Sequence, residues 1–390
     1  MTPAPPDCPI PGARGMCSPE GSGANGVLML GEAMGEAEME DGLPFRPYAP
    51  AGSVLERAIR RCGYDREAFV LWNAIPTHPP KNYINPNWEG AALAWGRPML
   101  EGVIREYKPR CILALGTTAL KASTGVAGDK CGASYLRGYV LPGLCDVPVV
   151  AALHPAFLRR GAMPLLSVLM HDIKLAVAVA ATKPGERAEF YSPVLSRAWQ
   201  FLHPLRLSFY EPEIPSGYIL HPNEEEAWDF LRKAESRSAD LIAYDIETPH
   251  SASASENDTD ELAETNILSI QFSLERGTGV FLPWREPFFE IARRVLALPN
   301  PKAGCNNWRF DDPLLRAHGC RINGEVHDIR WAFHHLQPDL KAHLQFIMSF
   351  YQEPDFAFPW KHLAETQKAA YGCLDVDAVQ RVMGWTGRMQ

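Results

Sequence analysis

A chain of 390 residues is too long for one ordinary domain and fits two, each large enough to bury its own core. With 46% hydrophobic and 22% charged residues it reads as globular; no apolar run is read as approaching the length of a membrane span, and the Pro-rich start lacks the basic and apolar regions of a signal peptide. A formal net charge of −8 argues against a nonspecific nucleic-acid coat, and nine cysteines without a CxxC pair fit reduced thiols in a cytoplasmic setting better than a disulfide framework.

In chain order, the first half alternates four short apolar runs with helix-like segments. The runs are VLML before Gly31, FVLW before Asn73, CILAL before Gly116 and VVAAL before His154. SVLERAIRRCG, MLEGVIREYKP and the alanine-rich stretch after Met170 read as helices. This alternation predicts an α/β fold in which a parallel sheet lies between two helix layers, with ligands at the carboxyl ends of the strands. Those ends carry Glu32, Glu38 and Phe45 in GEAMGEAEMEDGLPF, Asn73 and Asn82 in NAIPTHPPKN, and His154 in HPAFLRR. The clusters Arg57, Arg60, Arg61 and Arg159, Arg160 read either as phosphate-tracking groups or as solvated surface.

Prolines and charge interrupt the apolar periodicity in KPGERAEFYSP and YEPEIPSG, which divides the chain into a domain over 1–182, a linker over 183–217 and a second domain over 218–390. The polar stretch SASASENDTDELAE after Thr248 reads as a long loop between the first two strands of the second sheet.

Three segments of the second half carry chemistry: LIAYDIET with Asp245 and Glu247, NWRFD ending at Asp311, and YGCLD with Tyr371 and Asp375. Residues two apart on a strand share a face, and residues four apart on a helix are neighbours, so Asp245 pairs with Glu247 and Tyr371 with Asp375. Each segment alone fits a solvated strand end or an ordinary helix. Together they predict carboxylates that would repel one another unless hard cations sat between them, the logic of a two-metal phosphoryl-transfer site.

In this order the segments resemble the 3′→5′ proofreading exonuclease domain of family A DNA polymerases, over roughly residues 218 to 390. Asn307, Phe310 and Asp311 match the second motif, and Asp328 matches a family aspartate outside the metal set. Ala370 stands where the histidine subclass carries His, so the tyrosine subclass is the better match. The resemblance implies a mixed α/β, ribonuclease H-like domain. It also implies two Mg2+ or Mn2+ ions held by Asp245, Glu247, Asp311 and Asp375, a water-orienting Tyr371, and a supporting rather than metal-binding Asn307.

Roughly residues 8 to 182 resemble the family 4 branch of the uracil-DNA glycosylase superfamily, through GEAMG running on to PF, N…HPPKN, and HPAFLRR. The resemblance implies that Phe45 stacks on an extruded base, Asn82 reads the uracil edge, and His154 stabilises charge on O2. It also implies that the Glu32 backbone lines the pocket, Glu38 crowds the C5 position, and Arg159 and Arg160 lie beside the strand. The chain departs from the pattern at Met34 for a proline, FRPYAPAG for FVGxAG, and HPPKN for RPPGN. The family's iron–sulfur cluster uses four cysteines, the first two as CxxC. Here Cys8 and Cys17 are too far apart for that spacing, Cys111 stands at a ligand position, Cys131 is a remote candidate, and the partner expected near Gly96 is replaced, so no intact cluster is expected.

The combined expectation is a metal-dependent 3′→5′ DNA exonuclease joined to a uracil- or modified-base recognition domain, in replication or repair. Its partners would be single-stranded DNA or DNA 3′ ends, uracil-containing DNA, and a polymerase module or subunit of phage or bacterial origin, with no membrane. Active uracil excision and a non-catalytic scaffold are the alternatives for the first domain.

Overall fold

The computed structural model describes residues 4–125, 132–138, 140–182, 214–249, 266–350 and 367–386. The chain divides near residue 211 into two compact units. The bulk of the expected linker and the expected loop after Thr248 (250–265) lie outside the described residues, as does Cys131.

The N-terminal unit runs β1 (Val27–Ala33), α1 (Pro50–Arg61), β2 (Val70–Ile75), α2 (Pro86–Tyr107), β3 (Cys111–Leu115), α3 (Thr117–Thr124), α4 (Ala133–Leu136), β4 (Val140–Leu141), β5 (Val149–Ala152), α5 (Pro155–Arg159) and α6 (Leu166–Ala181). Its sheet order is β2-β1-β3-β5-β4. The four predicted runs form the parallel strands, while β4, too short to read from sequence, is an antiparallel edge. The parallel strands are Val-, Leu- and Ile-rich and almost wholly buried, as strands covered on both faces must be.

Helix α2 is longer than MLEGVIREYKP suggested. The Asn85 side chain caps it by accepting from Asn87 N at 2.9 Å, Pro86 occupies the first helical position, and the helix runs through Pro98. A Cβ at Gly96 would lie 2.5 Å from the Ala74 carbonyl oxygen, so this glycine lets α2 approach β2. One stretch corrects the reading that no apolar run is long enough for a membrane: Met163–Ala181 is, with mean hydropathy 1.6. Half of it is buried, and α6 packs on β3 and β5 as a core helix does. Within that layer Arg137 makes a bidentate pair with the fully buried Asp172, at 2.8 and 3.2 Å.

The C-terminal unit runs β6 (Gly217–Ile219), α7 (Glu224–Ser236), β7 (Ile242–Glu247), β8 (Ser269–Ser273), β9 (Thr278–Pro283), α8 (Phe288–Ala297), β10 (Lys302–Gly304), α9 (Asp311–Ala317), β11 (Val326–Asp328), α10 (Ile329–Leu336), α11 (Leu344–Met348) and α12 (Lys368–Thr386). Strand β6 begins at Gly217, inside the expected linker, and precedes the strand expected to be first. The sheet order is β11-β10-β7-β8-β9-β6, with β8 antiparallel to both neighbours and β10 parallel to β7 and β11.

Helix α12 packs on β7, β8 and β9. Two glycines allow that approach: a Cβ at Gly279 would lie 2.8 Å from Cys373 Cβ, and one at Gly372 would lie 2.6 Å from Gln271 Cδ. A buried lock fixes the rotation of α12. Asp377 accepts from Tyr218 Oη at 2.7 Å, from Gly277 N at 2.9 Å and from Arg381 Nε at 3.0 Å. Since two residues on a helix differ by about 200°, holding Asp377 toward β6 and β9 swings Asp375 toward β7.

Candidate functional site

In the N-terminal unit, a cavity of about 690 Å³ opens at the carboxyl ends of the parallel strands. Glu32 from the end of β1, Asn82, His154, Arg159 and Arg160 line it together, so residues from three separate motifs meet. Arg57, Arg60 and Arg61 do not line it; they lie on the exposed face of α1, where Arg60 pairs with Glu56. Asn82 is presented by a tight turn after Pro79 and Pro80 at φ 52°, a left-handed conformation that Asn tolerates better than most residues.

His154 follows β5 and caps α5, its Nδ1 accepting from Ala156 N at 3.2 Å. Burial, with Arg160 adding to it, pulls its imidazole down to about 4, so the ring is neutral at pH 7. Because Nδ1 is an acceptor, the proton of the neutral ring resides on Nε2, which makes that nitrogen a hydrogen-bond donor.

Three expected pocket residues are placed differently. Phe45, at 2% exposure, offers no open face to the cavity; it sits behind Gly31 and against His154, ring centroids 5.9 Å apart. Glu38 does not line the cavity. Its carboxylate accepts from Gly35 N at 3.0 Å, Phe45 N at 2.7 Å and Asn73 Nδ2 at 3.1 Å, so it ties the turn after β1 to β2. Glu32 contributes its side chain as well as its backbone: the carboxylate lies against Gly116 and accepts from the Thr118 backbone at the start of α3, while burial raises its pKa. Two departures from the family motif meet each other, since His78 Nδ1 lies 3.0 Å from the Met34 carbonyl. Sequence reasoning missed Glu89, which lines the cavity and binds Thr118 Oγ1 at 2.9 Å and Lys121 Nζ at 2.8 Å. No motif marked it, because α2 was read as starting later.

Among the described thiols, Cys17 and Cys111 are held apart. Cys111 pairs in register with Val27 of β1, whereas Cys17 touches Asn73, which pairs with Gly31. Four residues of strand separate those positions, about 13 Å along the sheet, too far for thiolates on one cluster. Cys8 contacts Thr77 Oγ1 at 3.8 Å.

In the C-terminal unit, ligand oxygens of Asp245, Glu247 and Asp375 lie within 4.8 Å of one another, the arrangement predicted from strand and helix periodicity. Asp311, the first residue of α9, sits beside this trio and turns Oδ1 to the Ile246 N–H at 3.1 Å. Burial first, then Asp311, Asp375 and Glu247, push the Asp245 carboxyl well up. Burial and the same neighbours bring Glu247 to about 8 against the pull of Lys368, and burial brings Asp311 to about 7. Tyr371 hydrogen-bonds Asp375, whose charge, with burial, holds the phenol protonated.

Behind the trio, Asn307 is fully buried and donates to Tyr244 Oη at 2.8 Å, while Tyr244 Oη donates to Asp312. This network holds α9 to β7. Asp328 caps α10 and accepts from Asn306 N at 3.0 Å and Trp308 N at 3.2 Å. Asp245, Tyr371 and Asp375 line a cleft of about 220 Å³ with Asn306, Arg330 and His343, none of the last three marked by sequence reasoning. A larger, mostly apolar hollow beside Trp308, Trp331 and Leu336 also carries Glu325, His327, Asp328 and His335 on its lining.

The N-terminal geometry defines an α/β domain with a polar cavity at its strand ends. Residues 19–170 match the uracil DNA glycosylase superfamily, and the N-terminal unit carries a domain of that superfamily. The chain is 36% identical over 124 residues to a type-4 uracil-DNA glycosylase of Pyrobaculum aerophilum, covering 32% of this chain and 61% of that protein. It is 26% identical over 184 residues to the type-4 enzyme of Sulfurisphaera tokodaii, covering 44% of this chain and 78% of that one. The chain therefore spans less than two thirds of the first of these relatives. A solved apo form of a nuclease overlaps 44% of this chain and 79% of its own at 17% identity, with a TM-score of 0.29, too low to compare folds.

Proposed function

We propose that the N-terminal unit takes up a uracil swung out of a DNA strand and hydrolyses its N-glycosidic bond. The observation that carries this reading is that Asn82 and His154 share one cavity, in a domain whose relatives are type-4 uracil-DNA glycosylases. An Asn amide can accept from uracil N3–H and donate to O4, a match that cytosine would leave unpaired. As the bond from N1 to C1′ breaks, its electron pair passes into the uracil ring and charge builds on O2, where the His154 Nε2–H donates. Water adds to C1′, giving free uracil and an abasic site. Arg159 and Arg160 at the cavity wall suit strand phosphates.

The test is a single-stranded oligonucleotide with one uracil, incubated in EDTA with an Asp245→Ala, Glu247→Ala variant and then treated with alkali. Breaks only at uracil, lost in His154→Ala, are expected. Tight uracil-dependent binding without breaks would instead favour a module that grips uracil and pauses a neighbouring enzyme.

A second activity is favoured by the convergence of Asp245, Glu247 and Asp375. We infer that the C-terminal unit is a 3′→5′ DNA exonuclease of ribonuclease H-like topology, acting on single strands or 3′ ends. The trio fits a cation site, since burial and the neighbouring acids raise the Asp245 and Glu247 carboxyls and the oxygens crowd within 4.8 Å. These residues, with Asp311, would hold Mg2+ or Mn2+, which when bound supplies charge neutralisation and water activation. Tyr371, kept protonated, orients the attacking water through its hydroxyl. A 5′-labelled strand shortened with Mn2+ and spared in EDTA is the expected result.

A further inference from the structure

Arg330 is the one lysine or arginine among the described residues lining the acidic cleft, yet the structure records no ion pair between it and the carboxylates there. Its guanidinium instead donates from Nη1 to Asn306 Oδ1 at 2.6 Å. The mount for this bridge is built from the backbone. Asp328 Oδ1 accepts from Asn306 N at 3.0 Å and from Arg330 N at 2.9 Å, so one buried carboxylate pins both ends. Asn306 completes the bridge in a left-handed conformation at φ 73°.

A guanidinium free to swing in a cleft lined by Asp245 and Asp375 would be drawn to their carboxylates. Held by Asn306, it leaves the acids for cations and keeps four of its five N–H donors for an anion. The anion that suits a cleft holding both hard-cation ligands and an arginine fork is a phosphodiester. We propose that Arg330 is the phosphate-binding residue of this cleft, contacting a nonbridging oxygen at one of the two 3′-terminal linkages of the bound strand, with Asn306 and Asp328 as its positioning residues. This rests on the exonuclease reading and adds a recognition element that none of the three acidic motifs contains.

The experiment measures binding and cleavage separately. Binding of a fluorescent single strand to the full chain is followed in Ca2+ over a salt series, for the unaltered protein, Arg330→Ala and Arg330→Lys. Arg330→Ala should weaken binding about 10- to 100-fold and reduce the salt slope by about 0.7, the value for one single-strand phosphate. Arg330→Lys should keep the slope but lose part of the affinity. Strands carrying one neutral methylphosphonate at the first, second or fifth linkage from the 3′ end locate the contact. At one of the first two, the substitution should weaken the unaltered protein as Arg330→Ala does and cost that variant nothing further. In cleavage assays with Mn2+, the variant should raise KM and leave kcat within about threefold. Unchanged affinity and slope in Arg330→Ala, or losses that multiply with every methylphosphonate, overturn the proposal. A protein that never shortens the strand while the binding results hold would overturn the exonuclease reading and leave the phosphate contact standing.

Discussion

The two units place their polar side chains at the same kind of position, the carboxyl ends of parallel strands, and give them different electrical character: mixed in the first, acidic in the second. The N-terminal cavity balances two arginines with the carboxylates of Glu32 and Glu89 around an amide and a neutral imidazole; the C-terminal cleft gathers carboxylates that burial and one another push upward. A neutral base can be desolvated cheaply, so the first site needs only matched hydrogen bonds. Like charges confined within a few ångströms are costly until a counter-ion enters, so the second site is incomplete alone. Architecture sets where each site lies, and the balance of its charges sets what can enter.

The largest effect expected is on strand shortening. Asp245→Ala with Glu247→Ala should remove at least several kcal/mol of transition-state stabilisation while leaving uracil-dependent binding unchanged, measured by gel assay and anisotropy on one preparation. Loss of both activities would mean that the two sites are not independent. Next comes Phe45→Ala. Since the ring is buried behind Gly31, the variant should cost about 3 to 5 kcal/mol of stability, seen as an early unfolding transition for the N-terminal unit. A variant with unchanged melting that merely binds uracil less well would return Phe45 to the stacking role. Asn82→Ala should cost about 1 to 3 kcal/mol of uracil preference over cytosine without altering either melting transition.

The smallest effect sharpens the electrostatic contrast. Folded Glu247 and Asp311 titrate at about 8 and about 7, above their ordinary values of 4.5 and 3.8. Between those limits the folded state binds more protons than the unfolded one, so their contribution is most favourable below pH 4 and declines as pH rises toward 8. His154, pulled from 6.5 to about 4, acts the other way: stability rises with pH through that window and is flat above it. From pH 6.5 to 8 the carboxylates therefore act without it. Mg2+ should raise the melting temperature of the C-terminal unit more at pH 8 than at pH 5, while uracil binding stays level from pH 6 to 8. Equal Mg2+ effects at both pH values would argue that the trio does not hold the ion.

Much of this was legible because it is local. Apolar runs bounded by Gly and polar turns become strands wherever both faces are covered, and a DxE on a strand or a YxxxD on a helix keeps its side chains together whatever surrounds it, which is how Asp245, Glu247, Tyr371 and Asp375 came to be named. What the chain alone could not declare depends on partners far along the sequence. Glu38 and Phe45 follow the right turn but are drawn inward by Asn73 and Gly31, Asp311 turns to the Ile246 amide, and Gly217 joins β9 as an edge strand. Arg330 belongs to no motif and gains meaning only because Asp328 and Asn306 bring it to the cleft. Backbone periodicity sets the direction of a side chain within its own element. Which groups then share a cavity, and which are buried, is decided when elements separated by tens to hundreds of residues pack and every buried polar atom must find its partner.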